Sequence, residues 1–310
     1  MRRVAPAGAE PSTAPTGAAL GSGRASGARA VTRRRALGTV LLLLPVAGLL
    51  VPFFFWPLAK VVGLSLNGPP VGLQHYETTL TSEAVAVVLV TTVRIALSTT
   101  LLCLLIALPY AHYAAMASKR KGLVLIALST APLWTIAIVR LYAWTVILGR
   151  RGLINEALIG LGIIDEPLAL MFNEPAVVVG MTHLMLPFMI LILFATIRDL
   201  DRNLLDAAST LGASRVRAFI KVYLPLVRSG IVTGCTLVFV ISLGFYITPA
   251  ILGGGETITV ATYIEKLVNL VQWGRASAVS VVLLTVTLVL VLLTDRFVGV
   301  KNALVGGSRR

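Results

Sequence analysis

Charge is what this sequence has least of. Only 13% of its 310 residues are Asp, Glu, Lys or Arg, against roughly 25% in soluble domains. With 57% apolar residues and a mean hydropathy of +0.90, that deficit excludes an ordinary soluble domain and points to a lipid bilayer. Cysteine is almost missing. Cys103 and Cys235 both sit inside apolar runs, without the number or spacing of a disulfide framework or a zinc site, and read as small packing residues. Histidine is scarce too. His75, His112 and His183 have no second ligand at i, i+4, so no metal site is expected; His183, in mid-run beside Leu and Met, reads as a helix-contact residue. No G-x-x-x-x-G-K-[ST] loop is present, which excludes ATP binding of that kind. The Gly253-Gly254-Gly255 run has no Lys-Ser/Thr after it and reads as a flexible turn at the end of a span. No Ser, His and acid grouping suggests a nucleophile. The chain is expected to be no enzyme and to need no cofactor.

What is present is a series of long uncharged runs. Residues 1–35 are rich in Ala, Gly, Pro, Ser and Arg, cannot bury a core, and read as a disordered basic tail. Six runs then approach the roughly 20 apolar residues a spanning helix requires: 36–59, 95–118, 122–139, 175–197, 229–255 and 276–294. The third is short but continues apolar past Arg140. Residues 84–93 form a membrane-surface helix or an extension of the second span. The first run, with 24 residues, is longer than the 7–15 residues of a signal core and is expected to remain as an uncleaved span. Segments 60–83 and 149–174 are long enough for short helices on the outer face, and 301–310 is a short tail.

The net charge of +14 does not indicate nucleic acid, because the cations lie between apolar runs. The tail holds seven Lys/Arg, residues 119–121 three, 198–228 six, and the stretch after 294 four. In a six-span chain all four groups share one side. That is the positive-inside pattern of a plasma-membrane protein with both termini cytoplasmic.

The segment 198–228 carries the most information. Residues 203–211 suit a short helix, and Gly212 fits the left-handed position that ends one. Ser214 can cap a second helix, whose Val216, Phe219, Ile220 and Tyr223 fall at helical spacing. Pro225 marks where the chain turns back into the membrane. Ala207 and Ala208 offer a small-residue surface with cations around it.

Asp206-Ala207-Ala208, Gly212, Phe219 and Leu224-Pro225 together resemble the EAA loop of ABC importer permeases, with Asp206 in place of the first Glu. The segments Gly244-Phe245-Tyr246-Ile247-Thr248-Pro249 and Arg140-Leu141-Tyr142-Ala143-Trp144 are similar to the spermidine/putrescine type. The resemblance covers about residues 36–300. It implies an all-α type I importer fold with six transmembrane helices in one permease domain. It also implies two copies of an ATP-binding subunit, a second permease subunit and an extracytoplasmic solute-binding protein. In that family the loop is a coupling helix that docks into the ATPase, so the 204–223 hairpin would act as a lever on the spans.

Tyr142, Trp144, Tyr246 and Thr248 are candidates for the translocation path, although Trp and Tyr are also enriched at membrane boundaries. Polyamines are the leading solute. The spans hold no Asp or Glu to pair with one, and permeases for iron or phosphonate share the resemblance. A stand-alone ion-coupled carrier is the competing class, but it would place charged or broken-helix sites at the midplane, and neither a midplane acid nor an internal repeat is evident. A membrane enzyme would need a cluster of polar residues at membrane depth, where they are sparse here.

Overall fold

The computed structural model describes residues 45, 48, 50–66, 72–200, 210 and 214–298. The tail 1–35, the C-terminal 301–310 and, in the hairpin, residues 204–209 and 211–213 lie outside the described residues. Residues 1–60 and 61–310 form two units.

Among the described residues there is helix and no strand. Helix α1 (Leu50–Leu66) is a shorter apolar helix. It overlaps the end of the first run, half of which lies outside the described residues. In α1 the Phe53, Phe54, Phe55 and Trp56 side chains are exposed, and Lys60 lies over the Trp56 ring at 5.2 Å. Helix α2 (Gln74–Leu80) follows. Helix α3 (Glu83–Met116) has 34 residues and joins 84–93 to the second run in one piece. Arg94 can sit inside it because its guanidinium pairs side-on with Glu174, Nε donating to Oε1 at 2.7 Å and Nη2 to Oε2.

The third run is not one straight span. Helix α4 (Lys119–Thr130), a 3₁₀ turn Ala131–Trp134, α5 (Ala137–Leu148) and α6 (Leu153–Gly160) replace it, and the two legs meet at 94°. The cause is local. Pro132 lies in the 3₁₀ turn, whose tighter bonding ends the α-helix, and Thr135 then takes extended backbone. The fourth run is α7 (Glu174–Arg198), opened by an Asn173 side chain that accepts from the Ala176 N–H.

A turn of α-helix, α8 (Arg215–Ala218), a π-helical segment Phe219–Tyr223 and α9 (Leu224–Leu243) follow one another directly. Pro225 therefore does not mark a turn back; it sits inside continuous helix. A proline there has no N–H for the Lys221 carbonyl and would crowd it in α geometry. The wider π turn, closed by Leu224 N–H to Phe219 O, gives that carbonyl room. The fifth run is broken as well, at Gly244, with α10 (Ile247–Leu252) beyond the break. Gly254 and Gly255 then take φ of 57° and 85° and turn the chain as expected. A Cβ on Gly254 would run into the Phe172 ring. Helix α11 (Val260–Asn269), with a Thr259/Thr262 capping box, and α12 (Trp273–Val298) complete the described residues.

Among the described residues four helices are long and apolar enough to cross a membrane, or five if the bent α4–α6 pair counts as one. The main core lies among α3, α5, α7, α9 and α10, around Ile95, Leu141, Met181, Leu193 and Val238. A second cluster, with Val85, Val88, Val260, Leu267 and Val279, binds the start of α3 to α11 and α12. There the Val260 N–H donates to Thr92 Oγ1 at 2.8 Å.

Candidate functional site

Asp206, Ala207, Ala208 and Gly212 lie outside the described residues. The described half of the hairpin begins at Ser214, which caps as its sequence suggests. Its hydroxyl accepts from Arg217 N–H at 3.4 Å and its carbonyl from Ala218 N–H at 2.9 Å. From that cap the chain runs straight into the spanning helix Val216–Leu243. The apolar residues of the second helix do not share a fate. Val216, Phe219 and Ile220 are exposed, Ile220 by 55%, whereas Tyr223 is 2% exposed. Leu224 is half-exposed, and Pro225 lies in the first turn of α9. One face of this stretch is thus apolar and uncovered, while Tyr223 is turned into the bundle.

Tyr223 meets His112, near the end of α3. Its hydroxyl and His112 Nδ1 are 2.9 Å apart, and the rings meet edge to face with centroids at 5.0 Å. No sequence signal pairs residues 111 positions apart.

The four path candidates divide. Tyr142, on α5, is 61% exposed. Tyr246, just before α10, is also exposed and lines a cavity of about 410 Å³ with Thr262, Glu265 and Asn269. Trp144 is tied to α7, its Nε1 donating to His183 Nδ1 at 3.1 Å; His183 is the helix-contact residue its position implied. Thr248 is fully buried, its hydroxyl unpartnered, against Gly180 of α7; it faces no open space within this chain. Helices α5 and α10 pack together, so Tyr142 and Tyr246 belong to adjoining elements. Beside them Arg140 holds Nε and Nη1 buried with no partner. Among the described residues no group of His, Cys, Asp or Glu could hold a metal ion.

The family model for the binding-protein-dependent transport system inner membrane component matches residues 17–303. The spermidine/putrescine transport system permease protein PotB of Escherichia coli K12 is 33% identical over 261 residues, which are 81% of this chain and 94% of that one. PotB of Haemophilus influenzae is 38% identical over 184 residues, covering 59% and 64%. A putative 2-aminoethylphosphonate permease, PhnU of Salmonella paratyphi A, is 29% identical over 203 residues, covering 63% and 68%. Among solved structures, a chain of a bacterial alginate ABC transporter superposes with a TM-score of 0.69 at 17% identity, covering 85% of this chain and 94% of that one; this likeness is one of fold. The chain belongs to the binding-protein-dependent transport system inner membrane components, the multi-pass permease subunits of ABC importers, which work with separate ATP-binding and solute-binding proteins.

Proposed function

We propose that this permease is one half of a two-permease polyamine importer, and that residues 198–228 couple it to a pair of ATPase subunits on the cytoplasmic side. The observation that carries the coupling role is the uncovered face of Val216, Phe219 and Ile220. It is rooted on a spanning helix and directly follows Asp206-Ala207-Ala208-x₃-Gly212. Apolar side chains at helical spacing suit a groove in a partner, and this face stands on the helix that enters the bilayer. The charge clusters support cytoplasmic termini. The solute rests on the similarity to PotB along most of the chain.

A second solute reading has its own support. A guanidinium with two buried, unpartnered nitrogens suits an anionic group, and one relative is named for 2-aminoethylphosphonate. Reconstitution with the cognate ATPase, second permease and solute-binding protein separates the two. Uptake of labelled spermidine without uptake of 2-aminoethylphosphonate supports the polyamine reading; the reverse result replaces it. In the same vesicles Gly212→Asp is expected to abolish receptor-stimulated ATP hydrolysis and uptake while the protein still inserts. A side chain at a left-handed position costs about 1–2 kcal/mol and would stand between hairpin and groove. Normal uptake by the Gly212→Asp complex would remove 198–228 as the coupling element.

A further inference from the structure

The π-helical segment Phe219–Tyr223 lies between the exposed face assigned to the ATPase and the spanning part of α9. Such turns are rare, and where they occur inside α-helices they often mark functional positions. A helix transmits a push along its axis only where its bonding is sound. Here the ladder is widened by one residue, and two residues later Pro225 removes a further donor. A displacement of residues 214–220 could therefore be absorbed at the π turn and never reach the bundle through α9 alone.

A second route leaves the π turn sideways. Phe219 stacks on Tyr223 with ring planes 22° apart and centroids at 5.2 Å. Phe219 is exposed on the docking face; Tyr223 is buried. The Tyr223 hydroxyl then meets His112 Nδ1 at 2.9 Å. His112 stands on α3, one turn from its end at Met116, and α3 lies along α7 through the main core. An aromatic stack and one part-buried hydrogen bond thus connect the docking face to a helix other than the one that carries it.

We propose that Phe219, Tyr223 and His112 form a lateral latch that passes movement of the coupling hairpin into α3. His112 and Tyr223 are positioning residues: they touch neither solute nor nucleotide and set how much transport each hydrolysed ATP yields. The inference rests on residues 198–228 being the coupling element. In an α-helical bundle the latch resolves a mechanical conflict. The π turn makes room for Pro225 but weakens the direct lever, and the phenol–imidazole bond restores a rigid connection through a different helix. This is a contiguous physical path between two sites.

The test uses the assembled complex in proteoliposomes, measuring uptake of labelled spermidine and ATP hydrolysis in the same vesicles. Tyr223→Phe keeps the ring, its burial and its stack on Phe219, and removes only the hydroxyl. It is expected to assemble with the ATPase and to retain receptor-stimulated hydrolysis, while solute moved per ATP falls by about threefold to tenfold, the equivalent of one net hydrogen bond. His112→Leu should lower the same ratio, and His112→Gln, whose amide can still meet the phenol, should restore part of it. The double variant His112→Leu/Tyr223→Phe should be no worse than the worse single variant, as for two halves of one interaction. A wild-type ratio in Tyr223→Phe, or additive losses in the double variant, would overturn the latch. Loss of the ATPase subunit from the Tyr223→Phe complex would overturn it too, by showing a docking role instead. Gly212→Asp distinguishes the levels. If it uncouples and Tyr223→Phe does not, only the latch falls; if Gly212→Asp couples normally, the hairpin assignment and the latch fall together.

Discussion

Helices α7 and α12 are equally plausible spans by composition and occupy opposite kinds of place. Over their most apolar stretches the mean hydropathy is 2.3 for α7 and 2.7 for α12, yet 61% of the first is buried and only 22% of the second. The more apolar helix is the more exposed one. In water that would be a contradiction; in lipid it is expected, because hydrocarbon solvates Leu and Val as well as a protein core does, and helices meet where small residues let their backbones approach. Helix α7 is met in that way. Its Gly180 lies against Thr248 and Leu252, and its Met189 and Thr196 fit over Gly234 and Gly230 of α9. Among the described side chains of α12 the small buried ones lie near its start, at Ala276, Ser277 and Ala278; beyond them Leu284, Leu288, Leu292 and Leu293 are uncovered. Hydropathy therefore reports membrane against water. The position of small side chains reports which helix is central.

The largest effect expected from this contrast is a paired truncation. Leu193, fully buried on α7, should cost about 2–5 kcal/mol as Leu193→Ala, because the surrounding helices can close the cavity only in part. Leu292 is 66% exposed on α12, and Leu292→Ala should stay within about 0.5 kcal/mol. Thermal unfolding of the detergent-solubilised chain compares the two. Equal losses would mean that burial inside this chain does not control its stability. A loss for Leu292→Ala that appears only in the assembled complex would show the α12 face to be a subunit contact rather than a lipid surface.

A smaller effect is expected at the contact between α7 and α9. A Cβ on Gly230 would fall 2.7 Å from the Thr196 Cβ, which is branch-point carbon and cannot swing away. Gly230→Ala should cost about 1–3 kcal/mol as overpacking. Combining it with Thr196→Gly should recover most of that loss if the clash, and not the glycine's backbone, is responsible. No recovery in the double variant would place the requirement elsewhere on α9.

The same contrast explains how far the sequence could be read. Run 175–197 became α7 nearly residue for residue and run 276–294 lies whole within the longer α12, because uninterrupted apolar length is all that such a helix needs. The runs that changed each contain a break that hydropathy averages away. Pro132 with the extended Thr135 divides the third run, and Gly244 divides the fifth. Of the two readings of 84–93, the extension of the second span holds, and Arg94 is carried inside that helix by a partner, Glu174, 80 positions away. Helix α11 gave little warning, its capping box being built from two threonines instead of the usual Ser/Thr and Glu/Gln pair. At the candidate site the motif made Phe219 and Pro225 legible as positions. The π turn between them, and the His112 contact, depend on packing across the bundle, which spacing along one helix cannot express.

The smallest effect lies in the turn that delivers the chain into α12, and its sign is the informative part. Helix α11 ends with Val271 N–H bonded to Val268 O and Gln272 N–H to Leu267 O, a pairing that requires the residue after the cap to be left-handed. That residue is Val271, at φ 61°. Helix α6 ends with the same pair of bonds, Gly162 N–H to Ile159 O and Ile163 N–H to Leu158 O, and there the left-handed residue is Gly162, at φ 66°. One turn thus uses the residue type the geometry favours and the other a β-branched one, for which positive φ is strained. A Cβ in that region costs about 1–2 kcal/mol, and a glycine gives back about 0.5–1 kcal/mol through the freedom it adds to the unfolded chain. Val271 is 72% exposed, so little packing within the chain compensates the strain. Val271→Gly should therefore raise the unfolding midpoint in detergent, by the equivalent of about 0.5–1 kcal/mol, and Gly162→Val should lower it by at least as much. If Val271→Gly instead destabilises the chain in lipid bilayers but not in detergent, the valine is held by the membrane interface, and the exposed flank of α12 begins at that turn.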